Sequence, residues 1–130
     1  MSALGFKNSL GIHPQTLQLR AARAEVLANN LANSDTPHFK ARDFDFNKVL
    51  EGESQRSLKM EVTHQTHQRG TVNTDSELLF RNPYQPSIDG NTVDSQMEQS
   101  FYTDNALRYN ASFQFLNGKF KGLKGALRGE

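Results

Sequence analysis

The sequence predicts a mainly α protein: two long helices, one at each end, paired as an antiparallel coiled-coil hairpin, with a small irregular insert carrying a short strand between them. Three observations predict it. Leu10, Leu17, Ala21, Ala24, Ala28 and Leu31 recur at three- and four-residue intervals or multiples of them near the N-terminus. Tyr102, Ala106, Tyr109, Phe113, Leu116, Phe120, Leu123 and Leu127 keep an unbroken 4-3-4-3-4-3-4 spacing near the C-terminus. The stretch between them is polar and shows neither period over any length. Residues three and four apart share one side of a helix, and a sustained alternation of the two intervals is the heptad seam of a coiled coil.

The first helix is predicted over residues 14–33. Pro14 is tolerated there because the first helical turn has no internal partner for its missing N–H. The centre of the apolar face is alanine, which contributes little burial but lets a partner helix approach closely. Three asparagines, Asn29, Asn30 and Asn33, crowd its end. Asparagine is a poor helix-interior residue that bonds locally to backbone and tolerates the left-handed region, so it suits a helix stop. Pro37 drives Thr36 out of the helical region and completes the break.

The insert, residues 43–91, reads as irregular. Leu58, Met60 and Val62 alternate as in one strand, and residues 52–57 read as a mobile loop. Pro83, Pro86 and Asp89-Gly90 mark turned backbone. Phe44, Phe46, Leu78, Leu79, Phe80, Tyr84 and Ile88 are candidates for a satellite cluster. The second helix is predicted over 94–127, about 50 Å long. Asp94 or Ser95 can cap it, and Ser95 with Glu98 makes a capping-box pattern. An aromatic stripe on this helix complements the alanine stripe on the first. The expected division is 1–42 for the N-terminal helix and its exit, 43–93 for the insert and 94–130 for the C-terminal helix, within one structural domain.

Composition narrows the function. At 130 residues there is room for one core only, and 35% hydrophobic residues with a mean hydropathy of −0.70 make it a lean one. Small domains bury too little surface to be comfortably stable alone, which favours stability borrowed from neighbours. A net charge of +1 leaves no footprint for nucleic acid. The absence of cysteine removes disulfides and thiolate metal sites. No apolar run is long enough for a signal peptide or a membrane span, so composition alone reads as soluble and cytoplasmic.

Candidate chemistry is sparse. Zinc needs three or four converging ligands, and His64 with His67 has no companion nearby. His13 and His38 are isolated and suit a helix start and a turn. Asp43 and Asp45 share a strand face, but so lean a chain cannot build the cleft a carboxylate pair needs for glycoside hydrolysis. There is no phosphate loop, nucleophile elbow or metalloprotease helix, so no enzyme activity, cofactor or metal is expected. Lys119, Lys121, Lys124 and Arg128 favour the negative end of the helix dipole. Gly118, Gly122, Gly125 and Gly129 fall at 4-3-4 spacing beside the apolar stripe, each costing about 1 kcal/mol relative to alanine in a helix interior. They read either as a seam where another protomer packs closely, with Asn110 and Asn117 setting its register, or as a frayed helix end.

The segment Ala28-Asn29-Asn30-Leu31-Ala32-Asn33, the spacer Ser34-Asp35, then Thr36-Pro37-His38-Phe39-Lys40 resembles the N-terminal signature of the bacterial flagellar axial proteins: rod, hook and hook-associated proteins. Ala41-Arg42-Asp43-Phe44-Asp45-Phe46 is similar to the proximal rod members in particular. So are Thr63-His64 with His67, Asp89-Gly90-Asn91-Thr92-Val93-Asp94, and the stretches from Leu107 to Asn110 and Lys119 to Lys124. His38 departs from the pattern, standing where the family usually has glycine; a positive φ there would be costly for histidine.

The resemblance implies a structural subunit that assembles helically into a periplasm-spanning rod and transmits torque. It also implies export through the flagellar type III apparatus without a cleaved signal, in place of the cytoplasmic reading. Implied neighbours are other copies, the rod protein FlgC, the junction protein FliE and the MS-ring protein FliF, with no nucleic acid and no membrane insertion. The expected assembly interface comprises Leu17, Ala21, Ala24, Ala28, Asn29, Asn30, Leu31 and Asn33 on the first helix. On the second it comprises Tyr109, Phe113, Leu116, Phe120 and Leu123 with Gly118, Gly122 and Gly125. Phe46-Asn47-Lys48-Val49-Leu50 is similar to the Phe-x-x-x-hydrophobic element by which early flagellar substrates engage the export gate; Phe46 and Leu50 equally suit anchoring the insert. Alternative readings are another axial protein, such as an FlgC-like rod subunit, and a peptidoglycan-associated binding module or enzyme.

Overall fold

The computed structural model describes residues 9–59 and 78–129. Within them lie three helices and one two-stranded antiparallel sheet: α1 (His13–Ala32), β1 (Arg42–Asp43), α2 (Phe46–Lys59), β2 (Leu79–Phe80) and α3 (Ser95–Arg128). The fold is mainly helical, as the periodicity predicts.

α1 starts at His13 with Pro14 in its first turn and runs 20 residues. Its end is built from asparagine side chains rather than from a left-handed residue. Asn33 has φ −102°, and its Nδ2 donates to both the backbone carbonyl and Oδ1 of Asn29. α3 runs 34 residues, about 50 Å. Asp94 caps it by accepting from the backbone N–H groups of Gln96 and Met97, and Gly129 closes it at φ +74°. Glu98 does not complete a capping box; it turns inward.

The two long helices pack against each other in opposite directions. Asn30 meets Glu98, Asn105 Nδ2 donates to the Arg20 carbonyl, and the His13 and Phe115 rings stack at 6.1 Å, so α1 numbers fall as α3 numbers rise. α3 then continues 13 residues beyond Phe115, about 20 Å.

The inward faces differ from the predicted ones. On α1 the buried residues are Leu19, Leu27 and Asn30; Leu17, Ala24 and Leu31 are half-buried, and Ala21 and Ala28 are exposed. On α3 the buried column is Glu98, Asn105 and Ser112, one heptad apart, while Tyr102, Ala106, Tyr109, Phe113, Phe120 and Leu127 stay exposed and only Leu116 and Leu123 are half-buried. The heptad period was legible, but not which of two adjacent columns faces α1. Glu98 and the Asn105 amide nitrogen can take the inner column because Arg81, Asn30 and the Arg20 carbonyl pair with them there.

The insert is more ordered than its composition suggests. Residues 46–59 form a helix, where an irregular stretch with a loop at 52–57 is predicted. Asp45 supplies the reason: its Oδ1 accepts from the N–H groups of Asn47 and Lys48 and its carbonyl from that of Val49. Phe46, Val49 and Leu50, at one helical spacing, then dock on Leu19 and Phe44, joined by Val26 and Leu78. The predicted strand is also corrected: Leu58 belongs to α2, and Met60 and Val62 lie outside the described residues. The strands are instead two residues each, pairing Arg42 with Phe80 and Asp43 with Leu79. Of the predicted satellite cluster, Phe44, Phe46 and Leu78 join the core, whereas Leu79, Phe80, Tyr84 and Ile88 are exposed.

Candidate assembly surfaces

The asparagine-rich signature becomes a turn clamped from the distal part of the insert. Pro37 lies in the turn that follows α1, and His38 comes next with φ +62°, a non-glycine in the left-handed region, as the departure from the family pattern anticipates. The strain is held by the chain opposite. His38 N–H donates to the Asp89 carbonyl and Thr92 N–H to that of Phe39. Gly90 (φ +74°) fits beside the imidazole; a Cβ on it would sit 3.0 Å from His38 Nδ1. Asn91 is the keystone. Its Nδ2 lies within 2.8–2.9 Å of the carbonyls of Asn33, Ser34 and Thr36, while its Oδ1 accepts from Val93 N–H. The Asn33 and Thr36 carbonyls also accept from the backbone N–H groups of Thr36 and Phe39, so Asn91 adds a further donor to a turn that is already closed.

Beneath the turn a charged network joins four elements. Arg23 of α1 makes a two-pronged pair with Asp43 of β1, at 3.1 and 2.9 Å. Arg81, next after β2, reaches Asp43 at 2.8 Å and also pairs with Glu98 of α3. Asn30 Nδ2 lies within hydrogen-bonding distance of the Arg42 carbonyl (2.7 Å) and Glu98 Oε2 (3.3 Å), and its Oδ1 accepts from Arg42 N–H. Burial alone would raise the Asp43 carboxyl, but the hydrogen bonds and charge of Arg23, with Phe44 N–H and Arg81, hold it below its ordinary value. The balance at Glu98 goes the other way: only 1% exposed, it is pushed up by burial against the pull of Arg81 and Asn30. Arg23 is raised by its bond to Asp43, and Arg20 is lowered by burial and by the nearby charges of Arg108 and Arg23. Composition hid this network, because its members are scattered from residue 23 to residue 98.

Two surface depressions flank these elements. A groove of about 330 Å³ runs between α1 and α3, floored by Ala21, Ala24 and Ala106 and walled by Tyr102, Tyr109, Asn110, Arg20 and Asn105. The alanine and aromatic stripes therefore meet, along the side of the helix pair rather than in its centre. Arg20 Nε and Asn105 Oδ1 are buried there without hydrogen-bond partners, and the Arg20 guanidinium lies 4.2 Å from the Phe46 ring centroid. A second cleft, about 550 Å³, lies between α1 and the two strands. Beyond them, α3 presents Phe113, Phe115 and Phe120 to solvent at 54%, 66% and 46% exposure.

The residues predicted for assembly divide accordingly. Ala21, Ala28, Asn29, Tyr109, Phe113, Phe120, Gly118 and Gly122 are exposed, and a Cβ at either Gly118 or Gly122 would meet nothing. Leu17, Ala24, Leu31, Asn33, Leu116, Leu123 and Gly125 are half-buried. Asn30 is spent inside the subunit. Phe46 and Leu50 are helical and pack on the core, in keeping with the anchoring reading of the two given for them. His64 and His67 lie outside the described residues; among those described, no cluster of three His, Cys, Asp or Glu side chains is poised for a metal. No described helix is long and apolar enough to cross a membrane.

A family model described as "Flagella basal body rod protein" matches residues 10–40, which carry α1 and the signature turn. The relatives that follow carry the match over nearly the whole chain and make the class the flagellar basal body rod proteins. The chain is 43% identical over 130 residues to the flagellar basal body rod protein FlgB of Aeromonas hydrophila, spanning 98% of each. It is 40% identical over 126 residues to FlgB of Cereibacter sphaeroides, spanning 97% of this chain and 98% of that one. Against FlgB of Escherichia coli (strain K12) it is 40% identical over 128 residues, spanning 92% and 93%. Likeness of that extent means that the chain belongs to the FlgB family, a structural subunit of the basal-body rod and not an enzyme.

Proposed function

We propose that this subunit forms the proximal part of the rod, with its two long helices continuing as a coiled coil among copies of itself and its neighbours FlgC, FliE and FliF. The carrying observation is the exposed aromatic stripe of α3 on a chain whose described residues bury as hydrophobic core only Leu19, Leu27, Ala41, Phe44 and Val49. Exposed apolar surface so continuous marks an interaction site. In the assembled rod that stripe, the alanines of α1 and the open sides of Gly118 and Gly122 become helix–helix contacts, and the packed tube transmits torque across the periplasm. The subunit acts as one structural domain, with the division at 42 and 93 marking where the insert leaves and rejoins the helix pair. It reaches the rod through the flagellar type III apparatus without a cleaved signal. Imaging of basal bodies from cells lacking this protein tests the reading. Structures that stop at the MS ring are expected; an intact proximal rod would overturn it.

A further inference from the structure

We infer that the cleft between α1 and the strand pair is a docking site for an acidic segment of a different protein, one whose carboxylate is flanked by apolar residues. The inference rests on the subunit assembling into the rod, and concerns which chemistry one of its faces receives.

The cleft is built around Arg42. Strand register sets Arg42 opposite Phe80, and the neighbouring Asp43 and Arg81 turn into the buried network. Arg42 is mounted rigidly, its N–H and carbonyl both held by Asn30. Its guanidinium lies 4.9 Å from the Phe80 ring centroid, and Phe80 is itself 65% exposed. A guanidinium stacked on an aromatic face keeps its donors in one plane, free for two-pronged binding of a carboxylate. Lys40 stands beside it, with one bond to the Gly90 carbonyl accounting for one of its three donors. His38 and Phe39 complete the rim. Among the described residues no carboxylate lines the cleft and neither Lys40 nor Arg42 takes part in an ion pair, whereas Arg23, Arg81 and Arg108 each do. Two exposed cations beside an exposed aromatic ring form a basic face that a carboxylate complements.

A second copy is a poor occupant. Most described carboxylates are engaged: Asp43 and Glu98 in the network, Asp45 and Asp94 at helix starts, Asp89 with Ser87 and Asn91, Asp104 with Arg108. Setting cleft against cleft across a two-fold axis would place Arg42 against Arg42, and like charges repel.

The test uses the full chain in flagellated cells, with Phe80 replaced by the photo-crosslinking residue p-benzoylphenylalanine, which keeps a ring under Arg42. The same replacement at exposed Tyr84, outside the cleft, is the control. The expected result is an adduct from position 80, absent from position 84, that falls at least tenfold with Arg42→Glu. Mass spectrometry then locates the partner's acidic residue, and its reversal to lysine restores the adduct with Arg42→Glu. An adduct to a second copy, an adduct indifferent to Arg42→Glu, or failure of the reversal to restore it overturns the inference. Basal bodies are purified in parallel. Basal bodies that contain the subunit yet give no adduct overturn the cleft assignment alone; absence of the unmodified subunit from them overturns the rod reading itself.

Discussion

Replacing Arg81 by methionine removes one partner from a carboxylate that has nowhere to go. Glu98 is 1% exposed, and without Arg81 its remaining hydrogen bond is the 3.3 Å contact from Asn30. Asp43 loses a bond as well but keeps the two-pronged pair with Arg23. Breaking a buried pair from one side costs about 3–5 kcal/mol, because the other charge stays desolvated and unpaired. The Arg81 side chain is 19% exposed, so the lower end, about 3 kcal/mol, is expected. With an unfolding entropy of about 2.1 cal/mol/K per residue, that loss lowers Tm by roughly 10 °C. The double variant Arg81→Met, Glu98→Leu removes both charges and should recover most of the loss, since an apolar pair of similar volume is often no worse than a buried ion pair. Urea unfolding followed by circular dichroism at pH 7 reads the unmodified chain, Arg81→Met, Glu98→Leu and the double variant. An Arg81→Met loss below about 1 kcal/mol, or a double variant as unstable as the sum of two single losses, would refute the account of Glu98 as a buried charge dependent on Arg81.

The pH dependence separates the two carboxylates. Glu98 is raised in the fold, so its contribution is fully present below the unfolded value, about 4.3, and is lost as pH rises through the folded one. Glu98→Gln should remove that decline while keeping the rise contributed by Asp43, whose lowered value gives stability present above about 3.9 and lost on acidification; unfolding measured from pH 3 to 8 checks it. Gly90→Ala should destabilise by about 1 kcal/mol or more, because φ +74° and the 3.0 Å approach to His38 both penalise a Cβ; thermal melting of the variant checks it. Ala24→Leu should overpack the groove contact at about 1–3 kcal/mol per assembled subunit, lowering motility at unchanged cellular abundance. Phe46→Ala should leave secretion normal in cells unable to assemble a rod but reduce motility if its role is core packing; reduced secretion there would assign it to export instead.

Two helices and their ends were legible in the residues themselves. Heptad spacing over 102–127 and the alanine series over 17–31 are properties of local order along one chain, and a helix repeats them without reference to anything else. The helix stop at Asn33 and the tolerance of Pro14 in the first turn follow likewise from what each backbone can adopt locally, whereas the positive φ at His38 was signalled by the family resemblance. The signature from Ala28 to Lys40 also carried the family, since it is read as contiguous sequence. What needed the tertiary structure is whatever depends on who stands opposite. Residues 46–59 look too polar for a core-facing helix until Asp45 caps them and Leu19 and Phe44 receive Phe46 and Val49. Glu98, Asn105 and Ser112 look solvent-facing beside an aromatic column, yet they lie on the inner side, where Arg81 and Asn30 pair with Glu98 and the Arg20 carbonyl accepts from Asn105 Nδ2. A buried charge is tolerable only with its partner in place, and Arg23, Asp43, Arg81 and Glu98 are joined by topology alone. The same rotation of α3 leaves Phe113, Phe115 and Phe120 outward, exposed on this chain.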